Sequence, residues 1–127
     1  MLSAFASGFL VFAFLAAALF QLAIALGAPL GEYAFGVAHS EKLPLALRIV
    51  SWFSVLAALA IAGHYLAQLG LLPKLLPTSL NILANWALVA ICGVLAIVNN
   101  FTKSPKQKRL WGGTSIAILL AAFLVAF

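Results

Sequence analysis

The sequence predicts an all-α membrane protein, a bundle of four transmembrane helices that forms a single transmembrane domain over residues 1–127. Two observations carry this fold class. Apolar residues make up 66% of the chain and charged residues 7%, whereas soluble domains are roughly one-quarter charged. Four apolar stretches are each long enough to cross the ~30 Å hydrocarbon core of a bilayer as a helix. A β-barrel is not favoured, because apolar and polar residues do not alternate strictly.

The predicted spans cover residues 3–26, 49–67, 80–101 and 110–127. The first span has no basic segment before it and is longer than the apolar region of a signal peptide, so we expect it to be retained as a helix. Two polar loops, 27–48 and 102–109, carry six of the seven Lys and Arg residues, and Lys74 is the seventh. Since positive residues favour the cytoplasmic side, we expect these two loops to be cytoplasmic and both termini to lie outside.

A short pattern occurs before both the second and the fourth span. Pro44 and Pro105 are each followed, after three residues, by an arginine and then by an aliphatic, a bulky and a small residue. One interpretation is a weak parallel duplication of two helix pairs about an axis along the membrane normal. The other is that proline suits the first helical turn and arginine suits the cytoplasmic edge. Under either interpretation the helices begin near these prolines, with Ser104 as a plausible N-cap.

The first candidate site is a polar cluster at the predicted cytoplasmic edge. Glu32 lies in an apolar, glycine-rich part of the first loop, where a partly desolvated carboxylate would favour a nearby cation. Arg48 begins the next helix on the same side, so the pair is either a proton or cation site or, as we prefer, an ion pair that holds the loop. Asn99 and Asn100 end the third span at this level and either cap that helix or line a polar vestibule with the pair.

The second candidate site is a polar layer near the opposite membrane edge. Asn81 and Asn85 begin the third span one turn apart and therefore share a helix face. If the second and third helices pair, as their short connection suggests, His64 lies at a similar depth. Such a layer either links helices through hydrogen bonds or lines the start of a polar path, and the first interpretation is preferred.

Several other residues have simpler expected roles. Gln21, inside the first span, is expected to face another helix rather than lipid. Trp111 is expected to belong to the aromatic belt at the membrane edge. The basic tract before the last span is expected to set topology and to contact anionic lipid headgroups; its members are Lys103, Lys106, Lys108 and Arg109. This placement explains the net charge of +5 without nucleic-acid binding.

The residues do not assemble into a catalytic or metal-binding motif. We find no nucleophile with an adjacent base and no phosphate-binding glycine loop between a strand and a helix. The single cysteine, Cys92, excludes an internal disulfide and a cysteine-based metal cluster. We therefore expect no enzyme activity, no cofactor and no metal.

Two loop signatures resemble those of a group of small bacterial four-span membrane proteins. The first is Gly27-Ala28-Pro29-x-Gly31-Glu32, followed by Gly36, Leu43-Pro44 and Arg48; the second combines Asn100, Ser104, Pro105, Arg109 and Trp111. The resemblance covers most of the chain, although Val37 stands where a second glycine is common. It implies a location in the bacterial inner (cytoplasmic) membrane and no particular activity. Small multidrug transporters share the size and span number, but their carboxylate in the middle of the first span has no counterpart here.

Three functional hypotheses follow from these observations. The first is an accessory, scaffold or self-associating subunit that binds another membrane protein or forms a homo-oligomer. The second is an oligomeric transporter or channel for ions or small solutes, with Glu32 as its key polar group. The third is a lipid-binding protein that uses the cytoplasmic loops. The expected partners are membrane lipids and other membrane proteins, and not nucleic acid.

Overall fold

The computed structural model describes residues 2–28, 45–102 and 104–127. Helix α1 covers Leu2–Ala25, α2 covers Leu45–Gln68 and α3 covers Thr78–Asn100. The short helix α4, Pro105–Gln107, continues through a π-helical turn at Lys108–Gly112 into α5, Gly113–Ala126. Glu32 and Lys103, two predicted site residues, lie outside the described residues.

The predicted all-α, four-span architecture is confirmed. Four helical stretches are long and apolar enough to cross a membrane, the last being Pro105–Ala126, which combines α4, the π-helical turn and α5. The described residues contain no strand. The chain is therefore a multi-pass membrane protein, whereas the outward placement of both termini stays a prediction.

Local sequence explains where these helices begin and end. Ser104 is the predicted N-cap of α4, because its hydroxyl oxygen accepts a hydrogen bond from the Gln107 backbone N–H at 3.3 Å. Helices α1 and α2 are each followed by a glycine with a positive φ, 107° at Gly27 and 84° at Gly70. At each end the glycine N–H and the next N–H bond back to the last helical turn, as in the Schellman motif.

The helices pack as two hairpins. Helix α1 packs along α2, α5 packs along α3, and the two hairpins meet where α1 contacts α5. The core shared by the helices is rich in alanine, which lets helix backbones approach closely inside a membrane. Its buried alanines are Ala6, Ala13, Ala18, Ala58, Ala62, Ala121 and Ala122.

The side of the bundle between α2 and α3 is open. Among the described helices, this pair has almost no close backbone approach, unlike the other three neighbouring pairs. The close pairing that their short connection suggests therefore does not occur. We call this side the α2–α3 seam.

The open seam also bears on the possible duplication. A two-fold axis relating the two hairpins would make the α2–α3 contact the counterpart of the α1–α5 contact. The α1–α5 contact is closely packed and the α2–α3 seam is open, so the packing of the described helices does not follow such an axis. The sequence duplication stays a prediction.

The two ends of the bundle differ in charge. At one end α1 and α3 end and α2 and α4 begin; we call it the basic end, because its described cations are Arg48, Lys106, Lys108 and Arg109. At the opposite end, where α2 joins α3, Lys74 is the only charged side chain among the described residues. We call this second end the Lys74 end.

Candidate functional site

Polar side chains link α2 to α3 near the Lys74 end. His64 Nε2 lies 2.7 Å from Asn85 Oδ1; since a carbonyl oxygen only accepts, the ring nitrogen donates. Gln68 and Asn81 exchange two hydrogen bonds, with N···O distances of 2.8 and 3.0 Å. We call these four residues the polar bridge. It joins the two helices at a level where their backbones remain apart.

The polar bridge contains the three residues of the predicted outer layer. His64 and Asn85 contact each other directly, whereas Asn81 bonds to Gln68. Sequence reasoning missed Gln68, although its position one helical turn after His64 places both on the same face. Whether this layer has a function beyond linking helices stays a prediction.

A cleft of about 410 Å³ occupies the α2–α3 seam between the polar bridge and the basic end. Its volume lies within the range of about 300–1,000 Å³ that is typical of ligand pockets. Residues of α1 form the floor, α2 and α3 form the walls, and the chain from α4 to the π-helical turn forms one end. We call it the seam cleft, and it is lined by Phe14, Ala17, Gln21, Ser54, Ala57, Ala58, Ile61, Ile91, Leu95, Val98, Asn99, Gln107 and Trp111.

The seam cleft is accessible from the side of the bundle. On its α3 wall, Ile91, Leu95 and Val98 are 46%, 40% and 50% exposed. Since the described helices leave this side uncovered, the exposed side chains face the position of the lipid tails. Among the described residues, no helix closes the seam cleft on this side.

Polarity changes along the seam cleft. Its walls are apolar toward the middle of the helices, where Phe14 and Ile61 lie. Its polar side chains, including Gln21 and Asn99, occur toward the basic end. Gln21 Oε1 is buried and has no hydrogen-bond partner in the described part of the chain. Such an acceptor costs about 1–3 kcal/mol when it stays unpaired, so it favours a ligand that donates a hydrogen bond.

Gln107 is fixed at the basic end of the seam cleft. Its side-chain nitrogen donates to Asn99 Oδ1 at 2.9 Å, and its side-chain oxygen accepts from Thr102 Oγ1 at 3.0 Å. The residue is only 2% exposed. The hydrogen bond to Asn99, a predicted site residue, attaches α4 to the end of α3. The polar side chains at this end of the seam cleft are therefore fixed by hydrogen bonds to one another.

Asn100 connects α3 to the π-helical turn. Its side-chain nitrogen donates to Ala96 O at 2.7 Å and to Gly112 O at 3.1 Å. The first bond returns to the carbonyl four residues earlier in the same helix, so the predicted capping role stays a prediction. A Cβ at position 112 would lie 2.9 Å from Asn100 Oδ1, so a larger residue there requires the Asn100 side chain to move.

Trp111 lies in the π-helical turn and contacts α1. Its ring packs edge-to-face on Phe20, with centroids 5.3 Å apart, and it also lines the seam cleft. Its place in the aromatic belt at the membrane edge stays a prediction. The π-helical turn shifts the helix phase by adding one residue to the turn, and such turns are frequent at functional sites.

The structure describes three of the four residues of the predicted cluster of Glu32, Arg48, Asn99 and Asn100. Arg48 Nε donates to Ala25 O at 3.2 Å, where a cation also complements the negative end of the α1 dipole. No hydrogen bond joins Arg48 to either asparagine within residues 45–102. Since Glu32 lies outside the described residues, its ion pair with Arg48 stays a prediction.

The basic tract is partly described. Lys106, Lys108 and Arg109 are exposed at the basic end, and their contact with anionic headgroups stays a prediction. In the described ranges, no group of three His, Cys, Asp or Glu side chains is placed to bind a metal ion.

Comparison with known proteins gives no match: no family model fits the chain, and neither the curated proteins nor the solved structures contain a similar one. The resemblance to small bacterial four-span proteins therefore stays a prediction.

Proposed function

We propose that this membrane protein binds an amphipathic lipid in the seam cleft. The observation that carries the proposal is the shape of this cleft, which is apolar toward the middle of the helices, polar toward the basic end and accessible from the side. A lipid has the same division, with an apolar tail in the bilayer core and a polar headgroup at its edge. It reaches the seam cleft by moving within one leaflet.

The polar groups narrow the class of lipid. Gln21 Oε1, which has no partner among the described residues, favours a donor such as a hydroxyl or an amine on the lipid. The cations of the basic end favour an anionic headgroup, because each Lys or Arg near the membrane surface contributes about 1 kcal/mol to that attraction. We therefore propose an anionic lipid with a hydroxyl or amine donor. This proposal differs from the lipid-binding hypothesis of the sequence analysis in the place of binding, which is the membrane-spanning region and not the loops.

An accessory or self-associating role is the second candidate. The same open seam supports it, since a helix of a second copy or of another membrane protein would cover the exposed side chains of the α3 wall. Transport is the third hypothesis, and it depends on Glu32, which lies outside the described residues.

Native mass spectrometry separates the first two candidates. We expect the 13.4 kDa chain, extracted in mild detergent, to retain one lipid molecule. Ala57→Phe fills the seam cleft from the α2 wall and should remove this adduct. Ala87→Phe is the matched control, because Ala87 is an exposed alanine on α3 that does not line the seam cleft.

Two outcomes of this experiment would contradict the lipid proposal. Equal lipid retention by the wild type and both variants would overturn the lipid proposal, because filling the seam cleft would then be without effect. A species of twice the chain mass that carries no lipid and is lost in Ala57→Phe would favour the self-associating role.

A further inference from the structure

A second pocket lies at the Lys74 end, beyond the polar bridge. It has a volume of about 360 Å³ and forms where the connection from α2 to α3 lies beside one face of α2 and the first turn of α3. We call it the Lys74 pocket, and it is lined by Ala60, Gly63, His64, Ala67, Leu72, Pro73, Lys74, Leu75, Leu76 and Asn81.

The Lys74 pocket combines one cation with apolar walls. Among the described residues that line it, Lys74 is the only charged one, and His64 and Asn81 are the only other polar ones. The described residues contain no Asp or Glu. The acidic residues of the chain, Glu32 and Glu41, lie outside the described residues.

The two neutral polar residues of the Lys74 pocket are held in place by the polar bridge. His64 is fixed through Asn85, and Asn81 is fixed through Gln68. The Asn81 amide has a second N–H besides the one that it donates to Gln68. Helix α3 begins at Thr78 without a side-chain cap, so the positive end of its dipole adds to the field of Lys74 at this edge.

We propose that the Lys74 pocket binds a monoanionic group attached to a small apolar body. The Lys74 ammonium pairs with the anionic oxygens, the Asn81 amide donates a hydrogen bond to them, and the apolar walls hold the body. A single cation matches a single negative charge. The shared chemistry fits the carboxylate of a medium-chain fatty acid and the phosphodiester of an anionic lipid.

This inference goes beyond the proposed function, because it concerns the other end of the bundle and a different set of residues. The simpler alternative is that Lys74 extends to the headgroups as an ordinary membrane-edge lysine. The two differ in selectivity. A surface lysine attracts any anion weakly, whereas a pocket also requires the apolar body and room for it.

The first test uses octanoate as the probe and octanol as its uncharged counterpart. The protein is reconstituted in nanodiscs of zwitterionic lipid, and binding is measured by calorimetry against empty nanodiscs. We expect saturable octanoate binding by the wild type and at least a tenfold weaker Kd in Lys74→Gln. Octanol should not distinguish Lys74→Gln from the wild type.

A second variant tests the room in the Lys74 pocket. A Cβ at Gly63 meets no atom within 4 Å, and the same holds for Gly8 on α1. Gly63→Leu should therefore fold and abolish octanoate binding, whereas Gly8→Leu should fold and bind. Binding that survives Gly63→Leu, or that is equal in wild type and Lys74→Gln, would overturn the proposal.

A third arm identifies the source of the anion. Nanodiscs with phosphatidylglycerol present the phosphodiester, and competition with octanoate there would assign the Lys74 pocket to a lipid headgroup. Undiminished octanoate binding in the same nanodiscs would assign it to a free carboxylate. If the wild type binds neither octanoate nor phosphatidylglycerol in a Lys74-dependent way, the inference is wrong.

Discussion

The α1–α5 contact and the α2–α3 seam are two sides of one bundle, and they differ in how the helices meet. The faces of α1 and α5 in the core contain small residues such as Ala13, Ala18 and Ala122, which permit close backbone approach. The α3 wall of the seam carries Ile91, Leu95 and Val98 instead, and side chains of the polar bridge span the gap. Small residues thus close one side, while hydrogen bonds hold the other without closing it.

The largest expected effect comes from enlarging a residue in the closed side. Ala122 is 0% exposed, so Ala122→Leu must displace neighbouring helices and should lower the free energy of unfolding by about 1–3 kcal/mol or more. The measurement is unfolding by mixed micelles with increasing denaturing detergent. Ala117→Leu on the exposed face of α5 is the control; an equal loss in both variants would contradict the closed packing.

A second variant tests the π-helical turn that directs Trp111 into the seam. Gly112→Ala places a Cβ 2.9 Å from Asn100 Oδ1; the Asn100 side chain must then move, and weakening its hydrogen bonds should cost about 0.5–1.5 kcal/mol. Gly113→Ala, where a Cβ meets nothing within 4 Å, should be neutral or should stabilise the helix by about 0.5–1 kcal/mol. The difference between the two neighbours is measured in the same unfolding assay, and its absence would show that Gly112 is not needed for close approach.

The polar bridge should contribute a smaller amount. A double-mutant cycle of His64→Leu and Asn85→Leu should give a coupling energy of about 0.6 kcal/mol and at most about 1.7 kcal/mol, the range for hydrogen bonds between membrane helices. Ser54→Ala and Asn85→Leu form the control cycle, because Ser54 bonds its own helix. A coupling energy no larger than that of the control would show that the hydrogen bond between His64 and Asn85 does not stabilise the protein.

The smallest effect on stability is expected where the seam is open. Ala57→Phe adds a large side chain to the cleft wall and should change the free energy of unfolding by less than about 0.5 kcal/mol, as for surface substitutions. Ala122→Leu should lower the free energy of unfolding much more than Ala57→Phe does. A loss as large as that of Ala122→Leu would indicate that α2 and α3 pack closely after all.

The sequence predicted the features that depend on local chemistry. Span length and hydropathy predicted the four helices, because crossing a bilayer requires about 20 apolar residues. The N-cap at Ser104 was predictable, since a hydroxyl before Pro105 satisfies a free N–H. Helical spacing placed Asn81 and Asn85 on one face, and the structure brings both into the polar bridge.

The open seam could not be predicted in this way. Lipid tails and neighbouring helices are equally apolar, so hydropathy does not separate a residue such as Leu95 on a cleft wall from one in a helix contact. The contact of Trp111 with Phe20 was not predicted either, because the π-helical turn changes the helix phase after Gln107. The role of Glu32 stays a prediction, since it depends on a loop outside the described residues.

The central claim is that a lipid tail occupies the seam cleft, and the fluorescence of Trp111 tests it most directly. Replacing Trp52 and Trp86 by phenylalanine leaves Trp111 as the only tryptophan, and an anionic lipid brominated on its acyl chain serves as the quencher. We predict saturable quenching that Ala57→Phe removes and Ala87→Phe preserves. Quenching that rises linearly with brominated lipid and is the same in all three backgrounds would contradict the claim.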